Sequence, residues 1–157
     1  MTEKKIIRWE DRYQQDFIDL SVEWLERFVS VEPADLEILY HPNENILDKG
    51  GEIFFALFDG KVVGTVAMIP CRDCSFELAK LAVSPHYQGM KLGSRLMEQC
   101  ISFAKEKGAE KIILYTNHKL LSAIALYHKF GFSNVELSDN KYLESDMKME
   151  LNLHGNH

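Results

Sequence analysis

The sequence predicts a mixed α/β fold in which helices cover both faces of one sheet that has parallel and antiparallel strands. Three observations support this fold class. Strand-like and helix-like segments follow one another in the order βαα-ββ-βα-βα-ββ. Asp59-Gly60 joins two β-rich runs and is a typical two-residue hairpin turn. Residues 146–153 alternate apolar and polar side chains with a period of two, which indicates a half-buried final strand.

The first half of the chain contains one strand, two helices and the hairpin. We expect a short strand at residues 6–9 and then an amphipathic helix whose apolar face carries Phe17, Leu20, Ser21, Trp24, Leu25 and Phe28. A second helix begins at Pro33, presents Leu36 and Leu39, and ends before His41-Pro42. Residues 43–51 are predicted to be a loop, and residues 52–58 and 61–69 form the hairpin.

The second half repeats a strand-then-helix pattern. A strand at residues 77–83 ends at Ser84-Pro85, and a helix runs from about Leu92 to Lys107-Gly108. The remaining predicted elements are a strand at 111–115, a helix at 121–130, and strands at 132–137 and 146–153. The tail from about residue 152 is expected to be frayed.

Composition limits the class of protein. The 157 residues, 46% hydrophobic and 27% charged, fit one domain spanning residues 1–157. No apolar run approaches the roughly 20 residues of a membrane span, and the polar start lacks a signal-peptide core, so we expect a cytoplasmic protein without a membrane partner. The net charge of -6 argues against a nucleic-acid partner.

The three cysteines predict neither a disulfide framework nor a metal site. Cys71 and Cys74 form a C-x-x-C, but a closed zinc site needs four ligands and no second pair exists. Cys100 lies on the apolar face of a predicted helix. We therefore expect reduced thiols in a turn and no bound metal.

Residues 76–97 pass from strand to glycine-bearing turn to helix. The start of a helix presents unpaired N–H groups and the positive end of a dipole. Gly89 and Gly93 carry no side chain that would block a ligand there. Every formally charged side chain from residue 78 to 97 is basic, namely Lys80, Lys91 and Arg95. This combination suits a phosphate or pyrophosphate. The alternative is an ordinary strand-to-helix connection with solvated lysines.

Two blocks of the sequence resemble a known family. Val83-Ser84-Pro85 followed by Gln88-Gly89-Met90-Lys91-Leu92-Gly93 is similar to motif A of the GNAT superfamily of acyl-CoA N-acyltransferases, with Lys91 where that pattern most often has glycine. The second block resembles the family's motif B and consists of Ala123, Leu126-Tyr127, Lys129 and Gly131-Phe132, with Leu120 replacing a frequent asparagine.

The resemblance implies an acyl donor and its binding cleft. In that family two central strands splay apart and leave a cleft for acyl-CoA, here acetyl-CoA. The pantetheine arm would bond to the backbone of Leu81, Ala82 and Val83. The pyrophosphate would rest on a turn that comprises Gln88, Gly89, Met90, Lys91, Leu92, Gly93 and Ser94.

The resemblance also implies catalytic residues. Glu77 matches a position where several relatives carry a glutamate base, and the alternative is a strand residue that faces solvent. Tyr127 matches the family's tyrosine general acid, and the alternative is a tyrosine buried in a helix packing face. Backbone N–H groups near Leu81 and Ala82 would bind the oxyanion.

The sequence gives less information about the residues that contact the acceptor. In the family the region between the first two strands covers the acceptor, which makes Trp24, Phe28, Glu32 and Tyr40 candidates; aromatic core residues and exposed acids are the competing interpretation for each.

The expected function is acetyl transfer from acetyl-CoA to a primary amine by direct attack in a ternary complex. The alternatives are a non-catalytic acyl-CoA-binding module and a GNAT-fold interaction protein. Whether the acceptor is a small-molecule or protein amine, the acyl chain length, and the oligomeric state, including a homodimer, stay open.

Overall fold

A computed structural model describes residues 3–138 and 142–154, which form a seven-stranded mixed sheet with helices on both faces, and this confirms the predicted fold class. The spatial strand order is β1-β2-β3-β4-β5-β7-β6. The strands are β1 (Lys4–Arg8), β2 (Glu52–Phe58), β3 (Lys61–Pro70), β4 (Ser75–Val83), β5 (Lys111–Thr116), β6 (Ser133–Val135) and β7 (Met147–Asn152). The helices are α1 (Gln14–Phe28), α2 (Pro33–Tyr40), α3 (Pro42–Asn45), α4 (Leu92–Glu106) and α5 (Leu121–Lys129).

The predicted hairpin is formed by β2 and β3. Its two turn residues, Asp59 and Gly60, have φ values of 50° and 84°, as a tight two-residue turn requires. Side chains of β2 alternate between two cores, so that Phe54 packs with α4 while Phe55 packs with α1 and α2. Because helices cover both faces of β2, its sequence is a continuous apolar run.

The sheet opens between β4 and β5. These two strands pair in parallel only at Ser75, Phe76 and Glu77 of β4, and they separate beyond Glu77. In β4, Lys80 and Leu81 both lie opposite one residue of β3, which is a β-bulge, and Lys80 has a φ of 59°. A bulge bends the strand that carries it, so β4 turns away from β5 and leaves the splay that the resemblance implied.

Two segments before the hairpin differ from the predictions. β1 lies at Lys4–Arg8 rather than at 6–9, because those residues pair with β2, while Trp9 packs edge-on against Phe17. The predicted loop at 43–51 contains α3 and a 3₁₀ turn. Pro42, which ends α2, occupies the first turn of α3, and the fully buried Ile46 anchors the junction between α3 and the 3₁₀ turn.

Two smaller predictions are also corrected, and a third is tested only in part. Leu36 is 42% exposed, since α2 buries Asp35, Ile38 and Leu39 instead. β6 is shorter than the predicted 132–137 because only three of its residues pair with β7. The predicted frayed tail falls partly on residues 155–157, outside the described residues, and Asn152 ends β7.

No described helix is long and apolar enough to cross a membrane.

Candidate active site

The turn between β4 and α4 leaves the start of a helix accessible. Gly89 and Lys91 adopt positive φ values of 80° and 62°, after which α4 begins at Leu92 without a side-chain cap. The Gln88 side-chain amide donates to the carbonyl oxygen of Val83 at 2.9 Å and ties the turn to the end of β4. The first N–H groups of α4 therefore remain available to solvent or to an anionic ligand.

The glycines of this turn have separate physical roles. A Cβ on Gly89 would meet no atom within 4 Å, so glycine is needed there for its positive φ and not for space. A Cβ on Gly93 would make an ordinary van der Waals contact with Leu126 Cδ2 at 3.4 Å, so glycine at this position leaves slightly more room between α4 and α5. Lys91 adopts the left-handed conformation at a cost of about 1 kcal/mol, which explains why glycine suits that position in the motif.

Only part of the predicted positive charge lies at this turn. Lys91 and Arg95 belong to the turn and the first turn of α4, and Lys129 of α5 donates to the Ser94 hydroxyl at 3.3 Å. Lys80 is different, because its ammonium is buried in an ion pair elsewhere. The prediction that Lys80 contributes to an anion site at the turn is therefore wrong.

A cavity of about 100 Å³ lies between the separated ends of β4 and β5. It is lined by α1, the start of α2, residues 77–82 of β4, the end of β5, Tyr127 of α5, and the segment that precedes β7. Ligand pockets usually measure about 300–1,000 Å³, so this cavity has room for the reacting ends of two substrates rather than for either whole molecule.

Glu77 lies at the point where β4 and β5 separate. It is 2% exposed and lines the cavity, so the alternative of a solvent-facing strand residue is wrong. The Tyr142 hydroxyl donates to Glu77 Oε2 at 3.0 Å. Burial and the neighbouring Glu77 carboxylate raise the pKa of Tyr142 above its ordinary value, which keeps Tyr142 a hydrogen-bond donor at neutral pH.

Tyr127 reaches the same cavity from α5. It is buried, packs against Phe132 at a ring-centroid distance of 6.0 Å, and makes no hydrogen bond to another residue within the described ranges. Burial, with a smaller contribution from Cys100, raises the pKa of Tyr127 above its ordinary value. The phenol therefore stays protonated at neutral pH.

A buried ion pair joins β4 to α2. The Lys80 ammonium pairs with Asp35 Oδ1, and their side chains are only 5% and 4% exposed. The second carboxylate oxygen of Asp35 accepts the backbone N–H of Glu32 at 2.9 Å. Lys80 also lies over the ring of Tyr142, 5.0 Å from its centroid. The bulge at Lys80 thus directs its ammonium into the protein, where it contacts the cavity residues Asp35 and Tyr142.

The segment 142–146 is held over the cavity from two directions. The Glu32 carboxylate accepts the backbone N–H groups of residues 143 and 144, at 2.7 and 2.8 Å. At the other end, the backbone N–H of His118 donates to Asp146 Oδ1 at 2.8 Å, and hydrogen bonds from His118 lower the pKa of Asp146. These contacts place Tyr142 where it can contact Glu77.

The structure separates the four acceptor candidates. Trp24 and Glu32 line the cavity. Phe28 lies outside it and packs its half-exposed ring against Trp24 at 5.1 Å between centroids. Tyr40 is exposed and borders a different surface groove between α1 and α2. Glu32 is buried, so the interpretation of an exposed acid is wrong for that residue.

Several cavity residues were not identified as such from the sequence, and four of them are polar or charged side chains used in the description of the site, namely Ser21, Asp35, Lys80 and Tyr142. Ser21 was assigned only to a helix face, and Asp35 follows a proline where acids commonly occupy the first helical turn. Lys80 interrupts an apolar strand, which is a signal that a charge needs a buried partner. Tyr142 carries no local signal, because its position depends on contacts with α2 and β5.

None of the three cysteines lines this cavity. Cys71 and Cys74 lie in the predicted turn and are not joined by a disulfide, and burial raises the pKa of Cys100 on α4. Within residues 3–138 and 142–154, no group of three or more His, Cys, Asp or Glu side chains is arranged to hold a metal ion.

The splayed mixed sheet and the open start of α4 are the features that the resemblance to the GNAT superfamily implied, and the comparisons identify the family. Residues 8–132 match the model of the Acetyltransferase (GNAT) family, which is more than half of the chain. The chain belongs to the GNAT acetyltransferase family.

Known proteins resemble the chain in sequence and in structure. It is 33% identical over 115 residues to "Probable N-acetyltransferase camello" of Xenopus tropicalis, covering 71% of this chain and 50% of that protein. It is 29% identical over 90 residues to N-acetyltransferase 8 of Rattus norvegicus, covering 54% of this chain and 40% of that protein. The chain thus spans half or less of the length of these two curated relatives.

The solved structures agree on the fold. A GNAT-family acetyltransferase from Staphylococcus aureus superimposes with a TM-score of 0.88 at 24% identity, over 96% of this chain and 99% of that one. A structure from Salmonella typhimurium, yncA, solved with its cofactor acetyl-CoA, gives a TM-score of 0.76 at 17% identity, over 96% and 94% of the two chains. At these identities the likeness concerns the fold alone.

Proposed function

We propose that this chain is an acetyl-CoA-dependent N-acetyltransferase that moves an acetyl group to a primary amine by direct attack, with both substrates bound together. The observation that carries the proposal is the opening of the sheet at Glu77. A buried carboxylate and a buried phenol, those of Glu77 and Tyr127, line the cavity that fills this opening. Family membership and the neighbour solved with acetyl-CoA support the choice of donor.

The acyl-CoA arm would lie along the unpaired edge of β4. Leu81 and Ala82 line the cavity and offer backbone groups to the pantetheine and to the oxyanion. Val83 lies beyond the cavity lining, and its carbonyl already accepts the Gln88 side chain. The turn residues Gln88, Gly89, Met90, Lys91, Leu92, Gly93 and Ser94 would then meet the pyrophosphate, because the first N–H groups of α4 point out of that turn.

Glu77 is the proposed base. A primary amine with a pKa of about 10 is mostly protonated at neutral pH and must lose a proton before its nitrogen can attack a thioester. Glu77 accepts that proton directly or through a water. The amine nitrogen then attacks the thioester carbon, and the C–S bond breaks when the tetrahedral intermediate collapses. The thiolate takes the Tyr127 proton, and the nitrogen gives its second proton to the resulting tyrosinate, so that the products are a neutral amide and the CoA thiol.

Tyr127 is the proposed acid for the leaving sulfur. Its phenol is buried at the cavity and makes no hydrogen bond to another described residue, so its proton is available to the thiolate. Because burial raises its pKa, the phenol remains a donor over the whole neutral pH range.

Tyr127→Phe tests this assignment. We expect kcat to fall by about 10- to 100-fold while the affinity for acetyl-CoA is unchanged; the loss is moderate because a thiolate with a pKa of about 8.5 leaves readily. The measurement is thiol release from acetyl-CoA with a panel of primary amines, beside calorimetric binding. Tyr40→Phe, at an exposed position outside the cavity, is the matched control. An unchanged rate in Tyr127→Phe would remove the proposed role.

The same assay separates the two alternatives. A non-catalytic acyl-CoA-binding module binds acetyl-CoA and releases no CoA with any amine. An interaction protein that uses only the fold binds no CoA, and the left-handed Lys91 in the turn is the feature that favours it.

A further inference from the structure

A buried hydroxyl in the wall of the cavity has no partner. Ser21 of α1 is 2% exposed and lines the cavity, and within the described part of the chain its Oγ makes no hydrogen bond. A serine inside a helix commonly donates to the carbonyl oxygen one turn earlier, and Ser21 does not do so. Because buried hydroxyl groups are nearly always hydrogen-bonded, this one points to a polar group of a bound ligand.

Ser21 lies on the same face of the sheet as Glu77. Phe17, four residues before Ser21 and therefore on the same side of α1, packs in one core cluster with Tyr142. The Tyr142 hydroxyl donates to Glu77. Ala79, which shares a face of β4 with Glu77 because strand side chains alternate, packs against the same cluster. An amine presented to Glu77 is therefore on the side of the cavity that Ser21 lines.

Tyr127 reaches the cavity from the opposite face. It packs in the other core cluster, together with Leu92 and Leu96 of α4. The proposed acyl-CoA arm runs along β4 from the turn that precedes α4, so its sulfur would meet Tyr127 on that side. This arrangement assigns the Ser21 hydroxyl to the acceptor rather than to the leaving sulfur.

We propose that Ser21 binds the reacting amine of the acceptor and makes the site selective for primary amines. Its Oγ accepts the N–H that the nitrogen retains in the amide product. Only the reacting nitrogen has to enter, which suits a cavity of about 100 Å³. This inference rests on the proposed acetyltransferase function and names a specificity-determining residue for it.

Each of the three N–H groups of a primary ammonium has a partner in this arrangement. Glu77 takes the first proton before the attack, and the tyrosinate formed from Tyr127 takes the second. The third stays on the nitrogen and becomes the amide N–H. A hydroxyl oxygen has two lone pairs with which to accept it, and the nitrogen lone pair remains directed at the thioester. A secondary amine has one N–H fewer and leaves Ser21 unpaired, which is unfavourable in a buried site.

Two acceptors that differ by one methyl group on the reacting nitrogen test the inference: 2-phenylethylamine and N-methyl-2-phenylethylamine. We expect kcat/KM for CoA release to be at least about tenfold higher for the primary amine. Ser21→Ala should lower this value about tenfold for 2-phenylethylamine and far less for the N-methyl amine, because only the primary amine loses a hydrogen bond. An equal loss with both amines, no loss with either, or a wild type without the preference overturns the proposal.

Thermal stability separates this role from a structural one. Alanine favours a helix interior more than serine does, and Ser21→Ala also removes a buried hydroxyl that has no partner. The variant should therefore raise the Tm of the ligand-free protein by about 2–4 °C. Ser102→Ala, at an exposed position of α4, is the matched control and measures the helix-propensity part of the shift. A lower Tm in Ser21→Ala would show a structural role and contradict the inference.

Calorimetry tests the inference without turnover. The protein saturated with CoA should bind 2-phenylethylamine more tightly than its N-methyl derivative, and this preference should disappear in Ser21→Ala but not in Ser102→Ala. If no amine releases CoA, the proposed function fails, and the titration still decides the role of Ser21, since absent binding or absent preference contradicts it. If CoA is released with the same ratio between the two amines in wild type and Ser21→Ala, only the role of Ser21 is wrong.

Discussion

Replacing Lys80 with methionine is expected to lower the free energy of unfolding by about 3–5 kcal/mol, a large share of the stability of a domain of this size. Lys80 and Asp35 pair at 5% and 4% side-chain exposure, so removing the ammonium leaves a carboxylate without compensation in a space that water barely reaches. Methionine retains most of the side-chain volume, which limits any loss from a cavity. Urea denaturation of the wild type and the variant gives the difference.

Two further variants test whether the loss of stability in Lys80→Met comes from the unpaired Asp35 carboxylate. Asp35→Asn in the Lys80→Met background removes the stranded charge while the amide oxygen can still accept the Glu32 N–H, so most of the lost stability should return. Glu106→Gln breaks the exposed pair between Arg8 and Glu106 and should change stability by less than about 1 kcal/mol. A similarly small effect in Lys80→Met would show that the buried pair does not stabilise the fold.

Replacing Glu77 with glutamine is expected to lower kcat by about 100- to 1,000-fold, the usual contribution of a positioned base. The amide keeps the size of the side chain and can still accept the Tyr142 hydroxyl, so the geometry of the cavity should persist. The variant cannot take the proton from the ammonium. The rise of rate with pH should therefore flatten or move toward the pKa of the acceptor amine itself, about 10.

The pH profile of kcat, recorded from about pH 6 to 10, is the deciding measurement for Glu77. Glu98→Gln is the control, since Glu98 is exposed on α4 and lies outside the cavity. If Glu77→Gln and the wild type give superimposable profiles, the base lies elsewhere or is a water that Glu77 does not activate.

The bulge in β4 connects the sequence to the proposed chemistry. One extra residue at Lys80 bends the strand away from β5, which opens the cavity. The ammonium of the same residue lies in the wall of that cavity. The ion pair with Asp35 then fixes α2 against β4. Through Glu32, α2 in turn holds the segment that brings Tyr142 to Glu77.

Features set by local sequence were predictable. Asp59-Gly60 specified the hairpin because two adjacent residues must adopt positive φ, and the alternation in β7 followed from a strand with two unlike faces. The start of α4 at Leu92 and its end near Gly108 also followed from local spacing and a left-handed glycine.

Features set by tertiary contacts were not predictable. Nothing near Lys80 indicates a bulge, and its partner Asp35 lies 45 residues earlier in the chain. Tyr142 follows Glu77 by 65 residues and reaches it only because Glu32 and Asp146 hold its segment in place. The burial of Glu77 depends on this assembly, so the sequence left its two interpretations open.

The most direct test of the acyl-CoA site is a calorimetric titration of the protein with acetyl-CoA and, separately, with S-acetylpantetheine, which lacks the pyrophosphate. If the turn from Gln88 to Ser94 holds the pyrophosphate, acetyl-CoA should bind in the micromolar range and S-acetylpantetheine should bind far more weakly. Absence of binding to both would contradict the acetyltransferase proposal, and equal binding of both would contradict the role of the turn.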